Sequence, residues 1–256
     1  MDERLMILFF LMTGLLFGSF FNVVGLRIPE GKSIVFPGSR CPKCGHPLSG
    51  RDLIPVFSYI ALGGKCRYCG VKISVIYPVM EGTCGFLFSL AYVRFGWSPE
   101  LVFALLFLSL LAIITVSDLA YMVIPNRILL GFFPFIVLYR IMHPLKPWWD
   151  AILGGLVGFS VLYFLSVISR GGMGGGDIKL FAVIGVALGT KATILAMFLS
   201  SIIGTVVCGF LFLRKKLKRK DPIPFGPFIA AGAAISYFFV ESIFHWYLRF
   251  LFGYPG

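Results

Sequence analysis

Long apolar stretches alternate with short polar segments along almost the whole chain. Stretches long enough to cross a bilayer fall at residues 5–26, 76–95, 99–117, 124–143, 149–169, 178–190, 192–213 and 228–252. A helix needs about 20 apolar residues to span the hydrocarbon core, and the sixth stretch is shorter than that. The pattern predicts an all-α polytopic membrane protein with about eight transmembrane helices.

One long polar segment, residues 27–75, interrupts this pattern between the first two apolar stretches. It is rich in glycine and proline and contains many basic residues, so we expect a small compact insert. The apolar stretch before it has no extended basic start and no small-residue cleavage site at its end. We therefore interpret residues 5–26 as a retained helix and not as a signal peptide.

Composition supports the membrane assignment. Hydrophobic residues make up 58% of the chain and charged residues 13%, with a mean hydropathy of +0.92. Soluble domains have about 25% charged residues. The net charge of +12 does not indicate a nucleic-acid partner, because the basic residues cluster in loops between the apolar stretches.

The distribution of basic residues predicts an orientation. Alternate loops contain 17 of the 23 Lys and Arg residues, and these loops are 27–75, 118–127, 170–179 and 214–220. Cytoplasmic loops of membrane proteins have such an excess. We therefore expect these loops in the cytoplasm, where they can also attract anionic lipid, and both termini outside.

Two aspartates, Asp118 and Asp177, lie where an apolar stretch meets a polar loop, and the predicted topology puts both on the cytoplasmic side. Two carboxylates on one side can share a proton and activate water. Each also has a structural interpretation. Asp118 could simply end a helix, although the helix dipole disfavours a negative charge there. Asp177 could be the N-cap of the sixth helix.

A run of glycines precedes the second aspartate, with five glycines in residues 171–176. An N-cap does not explain this run, whereas the close approach of an extended peptide would. We therefore expect Gly174, Gly175 and Gly176 to contact substrate. The run fits neither GxGxxG nor a P-loop, and neither HExxH nor GxSxG occurs. Glu81 is interpreted as a first-turn acid that complements a helix dipole.

Four cysteines in the polar insert form two CxxC pairs separated by 21 residues. They are Cys41, Cys44, Cys66 and Cys69, and a glycine follows each pair. Two such pairs are a strong zinc signature. Two disulfides are the alternative, but the predicted cytoplasmic position is reducing. His46 could compete as a ligand, yet four cysteines suffice and leave it as a surface residue. A small insert of this kind needs such a staple to fold, so the metal is expected to be structural.

Taken together, these segments resemble the bacterial type IV prepilin peptidases, which are leader peptidase/N-methyltransferases and include competence-associated members. The matching segments are Gly18-Ser19-Phe20-Phe21-Asn22-Val23-Val24, Arg27-Ile28-Pro29, the two CxxC pairs, Ser74 to Glu81, Asp118 with Ile124-Pro125-Asn126, Gly174-Gly175-Gly176-Asp177, and Ile223-Pro224-Phe225-Gly226-Pro227-Phe228. Asn126 is a small departure, since many relatives have aspartate there.

The resemblance implies an aspartic endopeptidase in the bacterial inner membrane. Such enzymes cleave the basic leader of prepilins and pseudopilins after a glycine, on the cytoplasmic face. Asp118 and Asp177 would be the catalytic pair. Many members then methylate the new N-terminus with S-adenosylmethionine, and the family links the cysteines to zinc and to that activity.

The same resemblance suggests a division of the chain. Residues 1–98 would be the half associated with methyl transfer, and residues 99–256 the peptidase domain. Three alternatives remain open. The protein could be a peptidase without methyltransferase activity, a non-enzymatic scaffold that docks a partner through its zinc module, or a transporter that uses the two aspartates as proton relays.

Overall fold

The computed structural model describes residues 3–169, 172–214 and 222–252. Over these residues the chain forms nine α-helices and a short 3-10 helix at Gly50–Leu53, and it forms no strand beyond two isolated bridges. The α-helices are α1 Glu3–Arg27, α2 Phe57–Ala61, α3 Ile76–Phe95, α4 Pro99–Tyr121, α5 Asn126–Met142, α6 Asp150–Ile168, α7 Gly175–Leu188, α8 Thr190–Leu213 and α9 Gly226–Phe252. The all-α prediction is confirmed.

Eight of these helices coincide with the predicted apolar stretches, and the short α2 lies in the polar insert. Among the described residues six helices are long and apolar enough to cross a membrane, namely α1, α3, α4, α6, α8 and α9. The other two are shorter, with 17 residues in α5 and 14 in α7. A helix of 14 residues is about 21 Å long, and a hydrocarbon core is about 30 Å thick.

The outer faces of the long helices are apolar. Leu8 of α1 is 52% exposed, and Phe198 and Val206 of α8 are 63% and 65% exposed. A water-soluble protein rarely exposes so much continuous apolar surface. In a bilayer the same side chains meet lipid, while the helical backbone satisfies its own hydrogen bonds. The chain is therefore an integral membrane protein.

The described chain forms two compact units, which divide between Ile128 and Leu129. In the first unit α1, α3 and α4 pack against one another. Gly14 of α1 lies so close to α3 that a Cβ atom on it would be 2.5 Å from the carbonyl oxygen of Cys84. Small residues of this kind let membrane helices approach closely and gain dispersion energy.

The polar end of the first unit brings three segments together. The hydroxyl of Tyr121, the last residue of α4, donates a 3.0 Å hydrogen bond to the carbonyl oxygen of Leu26 near the end of α1. The polar insert begins directly after α1 and returns to the start of α3. The insert and the C-terminal end of α4 therefore lie at the same end of this unit.

In the second unit α6 packs on α7 and α8, and α8 packs on α9. Gly189, with a φ of 81°, ends α7 and leads directly into α8. Asp150 at the start of α6 accepts a 3.2 Å hydrogen bond from the amide of Thr190. The starts of α6 and α8 therefore lie at one level.

Some of the residues on which the predicted membrane orientation depends lie outside the described ranges. Arg170 and Gly171 are among them, and so is most of the basic run, residues 215–220. The cytoplasmic placement of the basic loops stays a prediction.

Candidate functional sites

The two CxxC pairs form two turns of the same geometry. In the first, the amide of Gly45 donates to the carbonyl oxygen of Cys41 at 3.0 Å, and the amide of Cys41 donates to His46. In the second, the amide of Gly70 donates to the carbonyl oxygen of Cys66 at 2.9 Å. Both glycines have a φ near 70°, at 70° and 68°, which glycine adopts without a steric cost. Each glycine therefore closes a tight turn, and the two thiols of that turn lie on the same side of it.

The four cysteine sulfur atoms meet in one cluster, all within 4.8 Å of one another. The Sγ atoms of Cys41 and Cys69 are 3.8 Å apart. A disulfide needs about 2.05 Å, so the disulfide alternative is wrong, and all four cysteines are free. A tetrahedral zinc with bonds of about 2.3 Å has sulfur atoms about 3.8 Å apart. His46 is exposed and packs its ring 3.6 Å from that of Tyr68.

The cluster contains both a readily ionised thiol and a thiol that keeps its proton. Despite a hydrogen bond from the backbone of Val71, burial and the neighbouring thiols raise the pKa of Cys69 to about 11. Backbone hydrogen bonds from Cys44 and Lys43 lower the pKa of Cys41 to about 6. A thiol with a lowered pKa is ionised more readily, and the thiolate is the form that binds metals. The four-cysteine cluster is thus able to bind a metal ion.

An ion pair braces the second CxxC turn against the 3-10 helix. The Nε atom of Arg67 donates to Oδ1 of Asp52 at 2.7 Å. The amide and the hydroxyl of Ser49 donate to Oδ2 of the same carboxylate at 3.1 Å and 2.7 Å. The Ser49 hydroxyl and then Arg67 lower the pKa of Asp52 to about 2. This residue was not singled out from the sequence, because its role depends on the folded position of Arg67.

Asp118 lies in the last turn of α4 and is 5% exposed. The helix continues to Tyr121, four residues beyond the predicted end of the stretch. Met122 then ends it with a φ of 55°, and its amide donates to the carbonyl oxygen of Asp118 at 2.8 Å. The hydroxyl of Ser117 donates to Val123 at 2.7 Å. This buried acid therefore lies at the negative end of a helix dipole.

Asp177 occupies the opposite kind of position, in the first turn of α7. The N-cap residue is Gly174, whose carbonyl oxygen accepts from the amide of Asp177 at 3.1 Å. The N-cap interpretation of Asp177 is therefore wrong, because the helix begins two residues before it. The carboxylate is half-buried and lies at the positive end of the α7 dipole.

The predicted substrate glycines surround this carboxylate unequally. A Cβ atom on Gly174 would lie 3.1 Å from Oδ2 of Asp177, whereas a Cβ atom on Gly175 would meet nothing within 4 Å. A side chain at residue 174 would therefore crowd this carboxylate. Asp118 belongs to the first unit and Asp177 to the second, and their pairing stays a prediction.

Comparison with known proteins decides the family. Two family models match, the bacterial peptidase A24 N-terminal domain at residues 12–95 and the type IV leader peptidase family at residues 105–209. A prepilin leader peptidase/N-methyltransferase of Bacillus subtilis is 44% identical over 94% of this chain and 97% of its own length. The chain belongs to the type IV leader peptidase family.

Other relatives with the same description are more distant. That of Aeromonas salmonicida is 32% identical over 91% of both chains, and that of Neisseria gonorrhoeae is 30% identical over 92% of both. No solved structure is significantly similar to this chain. Within the family match, the cysteine cluster falls in the N-terminal domain and both aspartates in the leader peptidase region.

The region that matches the N-terminal domain also contains Glu81, and the structure contradicts the prediction made for this acid. Glu81 does not lie in the first turn of its helix, because α3 begins at Ile76. It is 8% exposed, and its Oε2 atom accepts a 2.7 Å hydrogen bond from the amide of Val56 in the insert. An ionisable residue within a membrane helix is by default a candidate for function, and that rule could have found it.

Proposed function

We propose that this protein is a membrane aspartic endopeptidase that removes the leader from type IV prepilins and pseudopilins and then methylates the new N-terminus. The observation that carries this proposal is the position of the two aspartates. One is buried in the last turn of α4 and the other follows the glycines at the start of α7. Membership of the leader peptidase family and the names of the relatives support both activities.

The two helix ends suggest different roles for the two carboxyl groups. The positive end of α7 favours a negative charge on Asp177, whereas the negative end of α4 favours a neutral Asp118. Two close carboxyl groups do not both ionise cheaply, so one proton would be shared between them. We assign that proton to Asp118 in the resting enzyme.

Cleavage follows from this assignment. Asp177 takes a proton from water, and the resulting hydroxide attacks the carbonyl carbon of the leader glycine. Asp118 donates a hydrogen bond to the carbonyl oxygen and stabilises the charge that develops there. The tetrahedral intermediate then collapses, and a carboxylic acid gives its proton to the leaving amine. Water is consumed, and no covalent intermediate with the enzyme forms.

The enzyme would work at the inner membrane of a bacterium, with both aspartates and the cysteine module, residues 27–75, facing the cytoplasm. The excess of basic residues in the loops 27–75 and 214–220 supports this orientation. These loops would not attract a basic leader, so their charge serves orientation and contact with anionic lipid. We assign no nucleic-acid partner.

Methyl transfer would need two groups besides the protein. The four cysteines fit a structural zinc, since their sulfur spacing matches a tetrahedral thiolate site. S-adenosylmethionine would supply an electrophilic methyl group for the new N-terminal amine. We place methyl transfer in residues 1–98 and cleavage in residues 99–256.

Two rivals differ from this proposal in kind. A non-enzymatic scaffold would use the cysteine module to dock a partner and would leave the aspartates without a task. A transporter would use the aspartates as proton relays. Neither rival cleaves a peptide bond, so hydrolysis separates them from a peptidase.

The test is cleavage of a purified prepilin by the full-length protein in detergent or liposomes, with and without S-adenosylmethionine. We expect wild-type protein to release the leader and to methylate the product. Asp118→Asn and Asp177→Asn should each abolish cleavage and still unfold at the wild-type temperature. Glu241→Gln is the matched control, since it removes a carboxylate that only pairs with Lys191 on an exposed surface.

The results of this assay distinguish a peptidase/methyltransferase from a peptidase alone and from a non-enzymatic protein. Full cleavage by either aspartate variant would refute the proposed pair. Cleavage without methylation by the wild-type protein would leave a peptidase only, and no cleavage at all would favour a scaffold or a transporter.

A further inference from the structure

A cavity of about 480 Å³ lies between the cysteine module and the polar ends of α1 and α3. Its lining includes residues from all three segments, among them Asn22 of α1, Cys41 and Tyr59 of the insert, and Tyr77 and Glu81 of α3. Sites for small molecules and cofactors are clefts of about 300–1,000 Å³ with a few convergent polar groups. The cavity has this size and character, and the peptidase aspartates do not belong to its lining.

A buried carboxylate in the lining of this cavity has only neutral hydrogen-bond partners among the described residues. The carboxylate of Glu81 accepts a 2.7 Å hydrogen bond from the amide of Val56. The salt bridges of the described residues do not include it. A buried charge is costly unless a charge of opposite sign compensates it. The lining also contains four basic side chains, Arg27, Arg40, Arg67 and Lys72, of which Arg67 pairs with Asp52. The cavity is therefore suited to a ligand that has a positive group for Glu81 and a negative group for the basic side chains.

The backbone that presents the Val56 amide is strained. Val56 has a φ of 63° and a ψ of −50°, and the amide of Phe57 donates to the carbonyl oxygen of Pro55 at 2.6 Å. This is a γ-turn of the rare positive-φ kind, and it is especially unfavourable for a β-branched residue. Such strain persists where the surroundings enforce it, often at ligand sites. The turn holds the Glu81 carboxylate in one position.

A second polar group of the lining lacks a partner. Asn22 is 1% exposed, and its Nδ2 atom donates to the carbonyl oxygen of Tyr77 at 3.3 Å. Its Oδ1 atom is buried and has no hydrogen-bond partner within the part of the chain that the structure describes. A buried acceptor without a partner destabilises the protein, and a ligand that donates a hydrogen bond to it would remove that cost.

We propose that this cavity binds S-adenosylmethionine, with the Glu81 carboxylate facing its positive charge and the Asn22 oxygen accepting a hydrogen bond from it. The tyrosine rings of the lining provide apolar faces for the adenine base, and the cysteine module forms one wall. This inference rests on the proposed methyltransferase function and adds the site at which the methyl donor binds. Zinc is then needed because it keeps that wall folded.

Binding of the donor tests the inference directly. Full-length zinc-loaded protein in detergent is titrated with S-adenosylmethionine by calorimetry. Glu81→Gln keeps the shape of the side chain and removes its charge, so we expect affinity to fall about tenfold or more, as for loss of a charged partner. Glu30→Gln is the matched control, since Glu30 is exposed and pairs with Lys32 outside the cavity.

A second variant covers the case in which Glu81→Gln does not fold, which its zinc content and melting temperature report. Ser74 is an exposed residue of the lining, and Ser74→Trp should obstruct the cavity and abolish binding. Wild-type affinity in either folded variant would overturn the inference while leaving methylation itself established. If the wild-type protein methylates prepilin yet binds no donor in the calorimeter, the site is refuted. If it does neither, the methyltransferase function fails as well.

Discussion

Gly154 of α6 and Gly185 of α7 pack backbone against backbone. A Cβ atom on Gly154 would lie 2.5 Å from the carbonyl oxygen of Gly185, and one on Gly185 would meet the carbonyl group of Gly154. Gly14 of α1 has the same relationship to Cys84 of α3. Both units are therefore assembled through glycines that let two helices touch, as membrane helices commonly are.

Replacement of such a glycine should separate the helices. We expect Gly185→Ala to destabilise the protein by about 1–3 kcal/mol, the usual cost of overpacking, and to lower its melting temperature in detergent. Gly209→Ala in α8 is the matched control, because a Cβ atom there would meet nothing within 4 Å. That variant should be neutral or stabilised by up to about 1 kcal/mol through helix propensity. Equal melting temperatures for the two variants would contradict the close contact.

The glycines before Asp177 should differ in importance for cleavage. Gly174→Ala places a methyl group 3.1 Å from the Asp177 carboxylate, so we expect the turnover number for prepilin to fall about tenfold or more. Gly175→Ala meets open space and should change the turnover number little. Steady-state cleavage of a fluorescent prepilin peptide measures both. A large effect of Gly175→Ala instead would point to contact with the substrate at that residue.

Loss of the metal should separate the two activities. We expect Cys44→Ser and Cys69→Ser to lose zinc, measured by elemental analysis, and to stop methylating while they still cleave. With three cysteines the insert loses the metal that cross-links it and no longer folds, whereas the aspartates lie on membrane helices that do not need the metal. Cys208→Ser, in α8, is the control and should keep both activities. Cleavage that falls in proportion to the zinc content would show that the peptidase depends on the module.

The Asp52–Arg67 pair should make the module sensitive to acid. The pKa of Asp52 is lowered to about 2 in the folded protein, against about 4 in an unfolded chain. The stabilisation is therefore complete above pH 4 and is lost as the pH falls toward 2. We expect Asp52→Asn to lower the melting temperature of the zinc-loaded protein at neutral pH, and the difference from wild type to vanish near pH 2. A difference that persists unchanged at pH 2 would exclude this titration.

Local sequence predicts the helices and the cysteine cluster correctly. It does not predict where the helices end or which residue Glu81 contacts. Apolar length predicts the helix at residues 76–95, and CxxC spacing predicts the four thiols. The end of α4 was placed too early because Met122, and not a glycine, adopts the left-handed conformation that ends it. The role of Glu81 was missed because its partner, the amide of Val56, lies 25 residues away in sequence. Such a contact depends on how the insert folds back on α3, which periodicity does not report.

The shortness of α7 limits how far Asp177 can reach across the bilayer. Asp177 lies twelve residues before the turn at Gly189, about 18 Å along the helix, whereas the neighbouring α8 is about 36 Å long. If α7 runs along the bilayer normal from that turn at one surface of a hydrocarbon core about 30 Å thick, the carboxylate stops well below the other surface. Hydrolysis at that depth needs a wetted path for water. The prepilin must also unwind next to its cleavage site, because a helical peptide bond is shielded by its own hydrogen bonds.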